Sequence, residues 1–210
     1  MAGSHPELAR LASVMHRLRA ECPWDAAQTH ESLVHYLVEE SLEVVEAIEE
    51  GTDEHLIEEL GDLLLQVYFH AEIAEQEGRF DLEQVAARIS DKLIARHPYV
   101  FTDAAVPEDL MSSWERAKAS EKGRTSALEG IPERMSALSR AHKVLGRAAS
   151  HGVELLVPVP VGEPQTAAEL GDALLALVAR AEELGIDPEQ AARGAVRALE
   201  AQVRERESGI

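Results

Sequence analysis

The sequence predicts an all-α protein, a helical bundle followed by a degenerate second helical repeat. Three observations carry that reading. Apolar residues recur at helical spacing, as at Leu8, Leu11, Val14, Met15 and Leu18. Ala, Leu and Glu are abundant while aromatics make up only 4% of the chain, the composition of a bundle rather than a sandwich. Helix ends are marked by capping residues: Gly78 after a long periodic run, Asp81 with Gln84 three residues on, and Asp187 followed by Pro188.

Taken in order, Pro6 to Ala20 forms a first helix with Arg10, Arg17 and Arg19 outside its apolar stripe. Cys22-Pro23-Trp24-Asp25 breaks it, because Pro23 biases Cys22 away from helical angles. Thr29 to Glu49 and Asp53 to Glu77 read as two long helices joined at a turn on Gly51. The helix capped by Asp81 runs to about Arg96 and stops before Pro98, and His97 to Phe101 is an extended or turn segment. Pro107 opens a helix carrying Trp114 and Lys118. Ser120 to Ile131 is polar and reads as a linker, and Pro132 to Ala149 is one more helix. Gly152 to Pro164, with Pro158, Pro160 and Pro164, cannot be regular helix.

Length and charge bound the function. At 210 residues the chain has room for one large or two small domains. A net charge of −19 argues against a nucleic-acid polymer or an anionic membrane as partner. A nucleotide stays open, because a metal and local basic residues offset its phosphates. The one cysteine, Cys22, allows no intramolecular disulfide and suits a reducing cytosol; it reads as a packing or loop residue rather than a nucleophile. There is no secretory signal and no apolar run of membrane-spanning length, so the expected location is cytoplasmic.

The informative stretch runs from Glu39 to Asp62. Glu40 and Glu43 are three residues apart, Glu39 and Glu43 four apart, and Glu59 and Asp62 three apart, so each set shares a helix face. About Gly51 the register matches: Glu43 and Glu59 each lie eight residues from it, Glu40 and Asp62 eleven. At the α-helical rise the pairs sit about 12 and 16 Å from the turn. Four carboxylates turned inward raise one another's pKa and cost several kcal/mol unless a cation neutralises them. Hard oxygen ligands without Cys or an obligatory His favour Mg²⁺ or Mn²⁺. Against this stands the acidic composition: with 39 Asp and Glu, carboxylate pairs at helical spacing arise by chance, and Glu46, Glu49, Glu50, Glu54 and Glu58 read as a solvated face. Two matched pairs about one turn, flanked by Leu37, Leu42, Val45, Ile48, Leu60, Leu63, Leu64 and Val67, favour metal, with the helices expected to pack along that stripe.

The pattern Glu-Glu-x-x-Glu, a spacer, then Glu-x-x-Asp resembles the signature of the MazG family of nucleoside triphosphate pyrophosphohydrolases. Cys22 to Leu33 (CPWDAAQTHESL), Glu59 to Ala71 (ELGDLLLQVYFHA), Glu77 to Val85, Lys92 to Phe101 and Trp114 to Lys118 are similar to the same family, over about residues 8 to 145. The resemblance implies hydrolysis of NTPs and dNTPs between the α and β phosphates to a monophosphate and pyrophosphate, nucleotide-pool housecleaning, and a homodimer. Metal would be held by Glu40, Glu43, Glu59 and Asp62, with Mg²⁺ expected and Mn²⁺ the alternative. Glu39 would orient or deprotonate water, or else lie outside the ligand set. Lys92 and Arg96, four apart, would clamp the triphosphate, where otherwise they are a basic pair near a helix C-terminus. Trp114 and Lys118 would help enclose the nucleotide; from the residues alone they are equally core and surface. For Trp24, packing is favoured over stacking on a base. The His residues within helical patterns, His30, His35, His55 and His70, are read as structural rather than as ligands.

The C-terminal segment echoes the first half. Glu169-Leu-Gly-Asp172 copies Glu59-Leu-Gly-Asp62, and Asp187 to Gln190 echoes Asp81 to Gln84. No Glu-Glu-x-x-Glu helix precedes Glu169, and Ala198 and Gln202 stand where Lys92 and Arg96 do, so this copy is expected to bind no nucleotide. The expected division is a catalytic domain over 1–125, a linker helix and Pro-rich loop over 126–165, and a degenerate hairpin over 166–210. Three rivals remain: a regulatory protein that binds metal–nucleotide without turnover, a pyrophosphohydrolase specific for one nucleotide such as dUTP, and a di-iron carboxylate bundle. The last ranks low because neither Glu40 nor Glu59 has a His three residues on.

Overall fold

The structure is a computed structural model that describes residues 5–110, 113, 114, 117, 126–160 and 162–208. Among these the regular secondary structure is entirely helical, as expected. The chain divides into two compact units, Met1–Asp103 and Ala104–Ile210.

In the first unit, α1 (Pro6–Glu21) and α2 (Pro23–Ala27) precede two long helices, α3 (Val34–Glu50) and α4 (Asp53–Gln76). Then come α5 (Leu82–Arg96) and the single turn α6 (Pro98–Phe101). The central element is α4, which packs on α1, α3 and α5. Its buried Tyr68, Phe69 and Ile73 meet Met15 of α1 and Leu33 at the head of α3, with Leu11, Tyr36, Leu64, Leu65 and Leu82 around them. Polar ties hold α1 in place. The Tyr68 hydroxyl donates to the Leu8 carbonyl at 3.2 Å, and His16 Nδ1 meets Glu72 Oε1 at 2.8 Å. Arg19 forks onto Gln76 Oε1 and also donates to the carbonyls of Asp25 and Gln28.

Several boundaries differ from the sequence expectation. The third helix begins at Val34 rather than Thr29, because Thr29 and Ser32 exchange side-chain and backbone hydrogen bonds that close a turn instead. Residues 98–101 form a helical turn rather than extended chain: Pro98 opens it, and Thr102 returns both its N–H and its hydroxyl to the Pro98 carbonyl. Gly78 ends α4 as expected. Its φ of 68° lets its N–H reach the Glu75 carbonyl while the Arg79 N–H reaches Ala74, a Schellman motif. The capping box of Asp81 with Gln84 is formed.

The second unit holds α7 (Ala137–Ser150), α8 (Ala167–Leu184) and α9 (Pro188–Ser208), which pack on one another around Val178 and Ala148. The expected division at residues 125 and 165 therefore differs from the compact units, which part between Asp103 and Ala104. The helix assigned to a linker is instead packed on α8 and α9, with His142 paired to Glu182 and Ser136 Oγ donating to Glu189 Oε2 at 2.5 Å. It begins at Ala137 because Ser136, not Pro132, supplies the cap.

A histidine pair joins the turn before α3 to α4. His30 and His70 stack 5.0 Å apart with their Nδ1 atoms at 2.7 Å, and Arg79 Nη2 donates to His30 Nε2. With Nε2 accepting from Arg79, the His30 Nδ1–H donates to His70 Nδ1. Burial, then the His30 charge, lowers the His70 pKa from its ordinary value. A histidine with a lowered folded pKa stabilises fully above its unfolded pKa of about 6.5 and loses that contribution as pH falls towards the folded value. The melting temperature is accordingly expected to fall between pH 7.5 and pH 5.5, and to fall less in His70→Asn. Equal losses in scanning calorimetry would rule the pair out as the cause.

Candidate metal centre

The α3–α4 hairpin sets the site. Thr52 caps α4 by accepting from the His55 N–H at 3.3 Å, and Gly51 closes α3 in extended backbone. A side chain at Gly51 would not fit: its Cβ would lie 2.6 Å from the Ala47 carbonyl oxygen and 2.9 Å from His55 Nδ1. The tight turn returns α4 along α3 with Val44 and Ala47 buried.

Oxygens of Glu40, Glu43 and Glu59 converge within 4.8 Å of one another. Glu59 is only 9% exposed, Glu40 and Asp62 are half-buried, and Glu43 and Glu39 are exposed. Asp62 stands outside that tight group yet close enough for its charge to act on Glu40. Burial, followed by the charges of Asp62 and Glu43, a hydrogen bond with Glu43 and the charge of Glu39, raises the Glu40 pKa above its ordinary value. Among the described residues no Lys or Arg pairs with Glu40, Glu43 or Asp62. Hard oxygens crowded together without a cationic side chain fit a small divalent cation.

The sequence reading missed one contact: His55 Nε2 lies 3.1 Å from Glu59 Oε1. The signal was present, since the two are four residues apart on one helix.

The flanking residues need correction. The apolar stripe expected to pack beside the acids is largely outside the seam: Leu37, Leu42, Ile48, Leu60 and Val67 are all exposed. The buried α3 face is instead offset to Val44 and Ala47. An α3 with apolar residues on more than half its circumference offers two candidate stripes, and periodicity alone does not choose between them.

Lys92 is half-buried and Arg96 buried near the end of α5, the helix that packs on α4. Trp24 is half-exposed and makes edge contacts with Tyr36 at 6.0 Å and Phe69 at 6.3 Å, as a packing residue does. Trp114 is half-buried in the second unit, and Lys118 lies outside the described residues.

In the second unit the echoed acids have another use. Glu169 Oε2 accepts from the backbone N–H groups of Gln165 at 2.6 Å and Thr166 at 3.2 Å, completing a capping box at the start of α8. Pro158, Pro160 and Pro164 line a cavity of about 260 Å³ with Glu169 and Asp172. Gly185 closes α8 with the same pair of hydrogen bonds as Gly78 closes α4.

The family model for the MazG nucleotide pyrophosphohydrolase domain matches residues 28–101, wholly within the first unit. The nucleoside triphosphate pyrophosphohydrolase/pyrophosphatase MazG of Thermotoga maritima is 40% identical, over 89% of this chain and 80% of that protein. The chain belongs to the MazG family. A nucleoside triphosphate pyrophosphohydrolase of Escherichia coli K12 is 37% identical over 95% of this chain and 86% of its own length. The crystal structure of a MazG-related protein from Thermotoga maritima superposes with a TM-score of 0.46 and 29% identity, over 52% of this chain and 97% of that one.

The raised Glu40 pKa carries a stability sign. Its ionised form costs the folded state, so the metal-free protein is penalised above the raised value and relieved as the pH falls through it. Glu40→Gln is therefore expected to raise the melting temperature of the metal-free protein at pH 8 and to leave it unchanged near pH 4. An equal effect at both pH values would contradict the crowding.

Proposed function

We propose that this MazG protein is a nucleoside triphosphate pyrophosphohydrolase that cleaves NTPs and dNTPs between the α and β phosphates and clears unwanted nucleotides from the pool. The observation that carries the reading is the convergence of Glu40, Glu43 and Glu59, with Asp62 near enough to act on Glu40. Relatives named for this activity, matching nearly the whole chain, support it.

Glu40, Glu43, Glu59 and Asp62 would hold Mg²⁺, with Mn²⁺ as the alternative. A divalent cation there would supply Lewis acidity towards phosphate oxygens and help activate the attacking water. Glu39, exposed on the same helix, orients the water and accepts its proton. A bond forms from the water oxygen to the α-phosphorus, the α–β bridging P–O bond breaks, and pyrophosphate leaves with the electron pair. Lys92 and Arg96 offset charge on the triphosphate and the leaving pyrophosphate. Incubation with each NTP and dNTP plus Mg²⁺ is expected to give only monophosphate and pyrophosphate, and Glu43→Ala to slow this on the order of 100-fold or more. Orthophosphate with diphosphate would refute the site of cleavage, and metal-dependent binding without products would indicate the regulatory alternative.

We further propose a homodimer. Leu42, Ile48 and Ile57 on the two acidic helices are 60%, 64% and 71% exposed, apolar side chains that a second copy would cover. Sedimentation velocity is expected to give a dimer, and Leu42→Glu a monomer. A wild-type monomer at working concentration would overturn this.

A further inference from the structure

We infer that His55 is a positioning residue of the metal centre, holding Glu59 so that one carboxylate oxygen is left for the cation. The inference rests on the metal reading of Glu40, Glu43, Glu59 and Asp62 and adds the residue that would tune it.

His55 is fixed from three sides. Its backbone N–H is tied to the capping Thr52 hydroxyl, placing it at the third position of α4. Its ring lies against Gly51, where any Cβ would come within 2.9 Å of Nδ1. Its Nε2 is 3.1 Å from Glu59 Oε1. With the imidazole set against Oε1, a cation in the space shared with Glu40 and Glu43 would be left the other oxygen, Oε2.

The partner separates this contact from an ordinary helix-surface pair. The Glu59 side chain is only 12% exposed, against 45% for His55, so Glu59 cannot exchange the imidazole freely for water. It is also the most buried member of the converging trio. Outer partners of metal-binding side chains fix orientation and commonly change metal affinity 10- to 100-fold when lost. A carboxylate limited to one oxygen suits the six-coordinate geometry of Mg²⁺. A carboxylate free to bind through both suits the larger, seven- or eight-coordinate Ca²⁺. His55 therefore bears on which ion the centre prefers as well as on how tightly it binds.

The test is metal binding to the full chain without nucleotide, by titration calorimetry with Mg²⁺, Mn²⁺ and Ca²⁺ separately, on wild type, His55→Ala and His55→Gln. Glutamine keeps an N–H donor four residues before Glu59 and serves as the conservative variant. His55→Ala is expected to weaken Mg²⁺ and Mn²⁺ about 10- to 100-fold while weakening Ca²⁺ less, and His55→Gln to recover most of the loss. Unchanged affinities in His55→Ala, alongside a wild type that binds Mg²⁺, would overturn the role of His55 and leave the metal centre standing. Equal weakening of all three ions in both variants, with a lowered melting temperature, would overturn it as a merely structural effect. A wild type that binds no divalent ion would overturn the metal reading and the inference together.

Discussion

Everything in the first unit follows from α4 lying along α3 in one register. That alignment puts Glu59 opposite Glu43 and Glu40, and the energy that holds it must exceed the repulsion it creates. The seam has little to oppose the repulsion: Val44 and Ala47 are its buried apolar residues on α3. The stronger anchorage sits at the other end of α4, where Tyr68, Phe69 and Ile73 enter the core with Met15 and Leu33, and where Arg19 and His16 clasp Gln76 and Glu72. Stability and function are thus separated along one helix. Its C-terminal half is held firmly enough for its N-terminal half to carry charges that destabilise the metal-free state.

Much of this was legible in the residues because helix geometry is regular. Counting from Gly51 was enough to bring Glu40, Glu43 and Glu59 together, since rise and period vary little within a helix. The capping signals at Gly78 and Asp81 were equally readable, being local hydrogen-bond chemistry with few alternatives. The failures have one origin, a competition decided by contacts distant in sequence. Leu42 and Ile48 were assigned to the seam, yet α3 has a second apolar stripe and its neighbours selected the other one. Thr29 to Leu33 was helical by pattern, yet reciprocal hydrogen bonds between Thr29 and Ser32 offered the backbone a turn instead. The packing of Ala137–Ser150 on α8, which draws that helix into the second compact unit, leaves no mark in composition.

The C-terminal half shows what a motif is worth without its surroundings. Glu59 and Glu169 open the same Glu-Leu-Gly-Asp run. The first is buried at the seventh position of its helix opposite two further carboxylates, while the second sits at the third position of its helix and caps it. The difference lies in where the helix begins relative to the motif. Six residues precede Glu59 in α4 and two precede Glu169 in α8.

The reach of α4 has a consequence for how such a chain can vary. The acids sit near its start and the His70 anchorage near its end, joined only by helical backbone. One residue inserted between Asp62 and Gln66 would swing one end about 100° relative to the other, because each residue turns the helix by that amount. The carboxylates would then point away from α3, or the aromatic residues would leave the core. Substitution along this span changes one contact at a time, whereas a change of length breaks two assemblies at once. The helix works as a ruler, and its number of residues is less negotiable than the identity of most of them.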